Sequence, residues 1–199
     1  MADLQITIDD GPLPYESALI PILTELQRRN VLAAFFVLGS EVAANATAAQ
    51  TIKKFGHVLG NHSWDHLEPS TARLTDAQIL DQFRRTHEAV RRATSVTMQH
   101  WRAPRLEQIS RLARLLTQGP SRLYTLSHTD MHADSRDGLG AHDAAAMLRA
   151  LRSDLSSRSS RRVFRLLFHV KPTTASAFRA VLEGLVSDGH RLVNFSQTS

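Results

Sequence analysis

Strand-like and helix-like segments alternate along the whole chain, and this alternation constrains the fold more than any other feature. Residues 4–8 alternate apolar and polar and are rich in β-branched side chains. Residues 17–29 place Leu19, Ile22, Leu23 and Leu26 on one face at helical spacing. Residues 33–38 form a continuous apolar run, the pattern of a strand covered on both faces. Further helices are expected at 41–55, 75–92, 107–117, 142–155 and 174–187, the 107–117 helix ending near Gly119-Pro120. The third of the six helices opens on Thr75-Asp-Ala-Gln78, a capping-box pattern. Further strands are expected at 57–59, 97–101, 123–129, 163–169 and 191–195. About seven strands alternating with six helices imply an α/β fold with a parallel sheet and outer helices. A length of 199 residues suits one domain, 1–199.

Composition narrows the chemistry. No run of about 18 apolar residues exists, so no membrane-spanning helix is expected. No basic stretch precedes an apolar one at the start, where Asp3 and Gln5 intervene, and a cytoplasmic location is expected. Cysteine is absent, while ten His are present. Any transition metal must then be held by imidazole and carboxylate. The net charge of +5 is unevenly spread: residues 84–122 carry 9 Arg against 2 acidic side chains. That stretch reads either as a solvated helical face or as a surface for an anionic partner. Aromatic residues are only 6% and do not interleave with the basic ones, so nucleic acid is not the expected partner.

In α/β barrels the chemistry gathers where strands end and loops begin. After the first strand come Asp9-Asp10-Gly11-Pro12, which read as a turn or as a pair of carboxylates, one for a metal and one for a base. After the third comes Gly60-Asn-His62-Ser63-Trp-Asp-His66, in which two imidazoles four residues apart can converge on one ion. A His pair with a strand-end Asp makes a facial set with open positions for water and substrate. Arg102-Ala-Pro104 follows the fourth strand, and Arg102 is suited to a bidentate hold on a carboxylate. His169 ends the apolar sixth strand, as a core histidine or as a general acid.

In this order the motifs resemble those of the polysaccharide deacetylases of carbohydrate esterase family 4, over essentially the whole chain. The resemblance implies a distorted, incomplete (β/α) barrel and a metal-dependent N-deacetylase acting on an N-acetylated carbohydrate. It implies that Asp10, His62 and His66 hold a divalent ion, most commonly zinc, with cobalt or nickel as variants. Asp9 would be the general base, Arg102 would hold Asp9 as a carboxylate, and His169 would protonate the departing amine. Ser63 would brace the His62–His66 loop, Leu167 would line the acetyl pocket, and the Arg105 N–H would face the oxyanion.

Two motifs depart from the family pattern. Arg105 and Leu106 stand where an aromatic residue and Gly are usual, and Gly138 stands where Trp is usual. The residue that tunes His169 has two alignments. Strand position favours Asp130; the spacing Asp134-Ser-Arg-Asp137 fits the family motif better. Both departures touch substrate recognition, so an uncharged or anionic sugar, a non-sugar N-acyl compound or an O-acetyl ester stays open as substrate. A catalytically silent barrel that binds an acidic polymer through its arginines is the remaining reading.

Overall fold

The structure, a computed structural model, describes residues 1–66, 73–118, 122–126, 128–158 and 160–196. Strand β1 is Asp3–Gly11. A π-helical turn, Tyr15–Leu19, leads into α1, Ile20–Arg28. Then follow β2 (Ala34–Val37), α2 (Gly39–Ala44), α3 (Ala46–Lys54) and β3 (Val58–Asn61). Helix α4 is Asp76–Thr94 and β4 is His100–Trp101. A 3-10 turn, Pro104–Leu106, precedes α5, Ile109–Thr117. The chain closes with β5 (Ala133–Asp134), α6 (Ala144–Ser157), β6 (Val163–His169), α7 (Pro172–Ser187) and β7 (Arg191–Leu192). None of the described helices is long and apolar enough to cross a membrane.

Every strand pair is parallel, and the order is β4-β3-β2-β1-β6-β5. The short β7 pairs with Asp3 and Leu4 at the start of β1. The sheet is open between β4 and β5. There a strand-free segment bridges it: the Thr129 N–H donates to Trp101 O at 2.9 Å, and the His132 N–H donates to Arg165 O at 2.8 Å. The result is the parallel sheet that the alternation implies, closed as far as the incomplete barrel that the family resemblance implies.

Strand alternation sorts the side chains of β1. Leu4, Ile6 and Ile8 join the main core, which α1 and α7 cover from outside. Gln5, Thr7 and Asp9 take the other face and are also buried. On β2 the inner face is Ala34 and Phe36, which pack with Phe195, and the outer face is Phe35 and Val37. The barrel interior is therefore partly polar, and its polar row ends on Asp9.

Two expected elements differ. The expected strand 123–129 is absent among its described residues. The N–H groups of Leu123 and Tyr124 both go to Leu116 O at the end of α5, so they do not reach a sheet. The sheet position falls to Ala133–Asp134 instead. Gly119 and Pro120 lie outside the described residues. The expected helix 41–55 is two helices. Asn45 breaks it at φ −146° and ψ 86°, and its side chain accepts the Ala48 N–H at 3.3 Å as the N-cap of α3. The capping box at Thr75 and Gln78 forms as the sequence indicates.

Replacing a capping Asn by Ala costs about 1 kcal/mol, whereas Asp keeps the acceptor. Asn45→Ala is expected to lower the unfolding free energy by that amount and Asn45→Asp to leave it nearly unchanged, read from urea denaturation midpoints.

Candidate metal and acid–base site

Four strand ends build the site. Register between β1 and β2 shifts between Ile8 and Gly11, and Asp10 sits at φ 59°. Consecutive residues of a regular strand point to opposite faces. The irregularity lets both Asp9 and Asp10 reach the same imidazole: His62 Nε2 lies 3.7 Å from Asp9 Oδ2 and 3.4 Å from Asp10 Oδ1. His66 Nε2 lies 3.3 Å from the same Asp10 oxygen. His169 Nε2 approaches from the end of β6, 4.0 Å from Asp10 Oδ2. These groups line one end of a cleft of about 580 Å³, with Leu167 in its wall.

The donor set fits a divalent cation. One ligand atom each from Asp10, His62 and His66 lie within 4.8 Å of one another. Asp10 Oδ1 is buried yet accepts no hydrogen bond among the described residues. An unpaired buried carboxylate oxygen is costly, and a cation beside it removes the cost. His62 Nδ1 lies 3.0 Å from the Arg102 carbonyl, which can only accept, so Nδ1 carries the proton and Nε2 faces Asp10. Burial raises the Asp10 carboxyl, but the closeness of His62 and the charges of His62, His66 and His169 outweigh it. The carboxyl is held far below the usual carboxylate range.

Asp9 has a different neighbour. Arg102 is fully buried, and its Nη1 donates to Asp9 Oδ1 at 2.7 Å and to Thr7 Oγ1 at 2.9 Å. Arg102 Nε donates to Thr129 O at 3.0 Å and Nη2 to Asp130 O at 3.2 Å. Asp9 Oδ2 is thereby left on the cleft side.

The partner of His169 is neither of the two expected residues. Asp130 has a side chain 66% exposed, paired with His128 at 3.1 Å. It serves the site only through its backbone carbonyl, on Arg102. Asp134 lines the cleft and accepts the Arg136 N–H. Asp137 is the partner: its Oδ1 lies 2.6 Å from His169 Nδ1, and its Oδ2 accepts the His169 N–H at 2.8 Å and the Thr174 hydroxyl. The chain leaves the two-residue β5 and turns back under the end of β6, which brings Asp137 there. Burial lowers His169, but the hydrogen bond and charge of Asp137, then the charges of Asp9 and Asp10, raise it more. The imidazolium therefore persists to higher pH than an ordinary His. Asp137 is itself lowered: burial raises it, and His169 and Thr174 outweigh that.

The structure also explains Gly138. A Cβ there would lie 3.0 Å from His169 Cε1 and 3.2 Å from Nδ1, so a side chain at 138 would crowd the imidazole. Ser63 Oγ finds no hydrogen-bond partner among the described residues and does not brace the loop. Asn61 does so, accepting the Ser63 N–H at 2.9 Å. Glu41 steadies the other ligand loop by accepting the Leu13 N–H at 2.8 Å. Burial first, and the Asp10 charge last, push Glu41 up to about 7 against that hydrogen bond. Asx-type spacing marks Asn61 in the sequence; Glu41 leaves no such local signal.

The polysaccharide deacetylase family model matches residues 2–120. A peptidoglycan-N-acetylglucosamine deacetylase of Listeria monocytogenes is 39% identical over 88 residues, 44% of this chain and 18% of that protein. This chain thus corresponds to a small part of that relative's length. A family 4 carbohydrate esterase from Streptomyces lividans, solved with acetate, superposes with a TM-score of 0.75 at 25% identity. That match covers 96% of this chain and 91% of the other. A family 4 pseudoenzyme from Bacillus anthracis superposes with a TM-score of 0.80 at 20% identity, over 96% of this chain and 63% of its own.

Removing one partner of a buried ion pair costs about 3–5 kcal/mol because the other charge is left bare. Arg102→Met is expected to destabilise by that much. Asp9→Asn added to Arg102→Met is expected to restore part of the loss, since it removes the bare charge. A double-mutant cycle from chemical denaturation reads the coupling.

Proposed function

The chain belongs to the polysaccharide deacetylase family, and from that premise we propose a metal-dependent N-deacetylase of N-acetylated amino sugars. The reaction adds water across an acetamide and yields acetate and a free amine. One observation carries the reading: the buried Asp10 Oδ1, 3.4 Å from His62 Nε2 and 3.3 Å from His66 Nε2, is flanked by an Asp9–Arg102 pair and an Asp137–His169 pair.

Asp10, His62 and His66 would hold the ion, with zinc as the proposed occupant. When bound there, a divalent ion supplies Lewis acidity, lowering the pKa of a water and polarising the acetyl carbonyl. Asp9 Oδ2 accepts the proton of the attacking water, while Arg102 keeps Oδ1 and fixes the carboxylate in place. The Arg105 backbone N–H is the proposed donor to the developing oxyanion. His169, protonated and held by Asp137, donates from Nε2 to the amine nitrogen as the C–N bond breaks. An amine anion is too basic to leave without that proton. Leu167 gives the acetyl methyl an apolar contact.

The arginines of residues 84–122 do not support an anionic substrate. Arg102 is buried on Asp9, Arg111 pairs with Asp76, and Arg91 and Arg92 pair with Glu88. Arg85 lies over the Trp64 ring at 4.0 Å. Of that stretch Arg105 lines the cleft, where Lys171 accompanies it and Glu107 and Asp134 balance both. We therefore favour a neutral amino sugar. A silent barrel is the competing reading, because a pseudoenzyme shares the fold. The complete set of base, ligands and acid favours activity.

Zinc-loaded protein is expected to release acetate from N-acetyl-chitooligosaccharides or peptidoglycan fragments, and Asp9→Asn is expected to abolish the release. Absence of acetate release from this panel by the zinc-, cobalt- and nickel-loaded protein would sink the sugar reading. His169→Ala is expected to lose about 10²–10⁴-fold in kcat. Asp137 raises His169, so Asp137→Asn leaves burial to lower it. The protonated acid is then lost at lower pH, and the basic limb of kcat/KM should move down in pH. A profile that keeps its basic limb in place would remove the Asp137–His169 pair from the mechanism.

A further inference from the structure

We propose that Gln82, on the buried face of α4, is a positioning residue that sets the affinity of the Asp10–His62–His66 site for its divalent ion. The proposal rests on the metal site argued above. It concerns the five-residue stretch that carries both imidazoles. To converge on one Asp10 oxygen, the backbone takes left-handed conformations at Ser63 (φ 73°) and His66 (φ 61°). Such residues persist only where their surroundings over-determine them.

The backbone bonds of the loop show what holds it. The His62 N–H donates to Val37 O at 3.0 Å. The Ser63 N–H goes to Asn61 Oδ1. The next two N–H groups go to one atom: Gln82 Oε1 accepts from Trp64 at 2.9 Å and from Asp65 at 3.3 Å. On the acceptor side, Gly39 and Ser40 at the start of α2 donate to the carbonyls of Ser63 and Trp64 at 3.1 and 2.9 Å. The loop is thus gripped from two helices, and among the described residues the Gln82 carboxamide oxygen is the grip from α4 on its N–H side.

The same turns of α4 add two contacts. Arg85, three residues on, covers the Trp64 ring. Thr86, four residues on, is fully buried and donates to the Gln82 carbonyl at 3.0 Å. Residues three and four apart share a helix face. Gly39 lets that face come close: a Cβ on it would lie 2.4 Å from Thr86 Oγ1 and 2.5 Å from the Trp64 ring. Trp64 is half-buried and Asp65 exposed, so water can reach this part of the loop once the Gln82 acceptor is gone, and the fold is expected to survive. The loop then has more than one way to sit, and His66 no longer arrives prepositioned against Asp10. Loss of an outer partner of a metal ligand set typically costs 10–100-fold in affinity.

The test measures zinc affinity of the full chain by competition with a chromophoric chelator, together with Tm with and without zinc. Wild-type protein is expected to bind one zinc. Gln82→Met, which keeps the length and removes the acceptor, should bind 10–100-fold more weakly. Its zinc-induced rise in Tm should shrink accordingly. Gln82→Glu keeps an oxygen acceptor and should stay within about threefold of wild type. Gln82→Asn withdraws the acceptor by one methylene and should fall between the two; it decides the matter if Gln82→Met does not fold. A purely structural role would lower the apo Tm and leave the zinc-induced increment unchanged, which overturns the proposal. Wild-type protein that binds no zinc, cobalt or nickel overturns the metal site itself and this proposal with it.

Discussion

The buried Arg102–Asp9 pair is the contact on which the rest of the site is built. Its guanidinium reaches β1 through Asp9 and Thr7, and the bridging segment through Thr129 and Asp130. It lies over the Phe36 ring of β2 at 4.4 Å. Its own backbone takes part as well: its N–H donates to Asn61 O at 2.9 Å, and its carbonyl fixes the ring of His62. Thr7 passes the connection on by donating to Leu166 O of β6 at 2.7 Å. One side chain thus ties the open side of the barrel to its centre. Desolvating two charges is expensive, and a buried pair is weak grounds for claiming stability. What the pair secures is position: Asp9 is held in one orientation with one oxygen turned to the cleft.

Residues that converge where their own strands end were legible in the sequence. Asp9, Asp10, His62 and His66 sit in short contiguous motifs, and the structure brings them together at the C-terminal edge of the sheet. Residues whose partners come from elsewhere in the chain were not. Asp137 meets His169 because the chain turns back after β5, so strand position pointed to Asp130 instead. Gln82 looks like any polar residue of an amphipathic helix, although it accepts two N–H groups of the ligand loop. The helix break at Asn45 was hidden because Asn costs a helix interior only about 0.7 kcal/mol relative to Ala, too little to mark a break among the alanines around it. Its value as a cap shows only once the backbone turns.

Charge reads differently once its carriers are placed. The excess of arginine between residues 84 and 122 suggests a surface for an anion when it is counted. Placed in space, six of the nine serve local ends: Arg85, Arg91, Arg92, Arg102, Arg111 and Arg114. They pair along α4, tie α5 to the start of α4 through Asp76, cover Trp64 and fill the barrel. Guanidinium suits all four uses because it is planar, always charged and able to donate in several directions.

Two adjacent aspartates show how little of a site lies in residue type alone. Asp9 and Asp10 are the same residue on the same strand end, yet they are set apart by their neighbours. Asp9 is almost wholly buried and has one oxygen committed to Arg102. Asp10 is more open, has no arginine, and faces three imidazoles. A carboxylate with one oxygen held by a fixed guanidinium keeps the other in a set place at the cleft, where it can meet a water. A carboxylate ringed by imidazole nitrogens is suited to a metal. The irregular register at the end of β1 makes this division possible. A regular strand would send one of the two into the barrel and the other into the helical layer, and only one would meet His62.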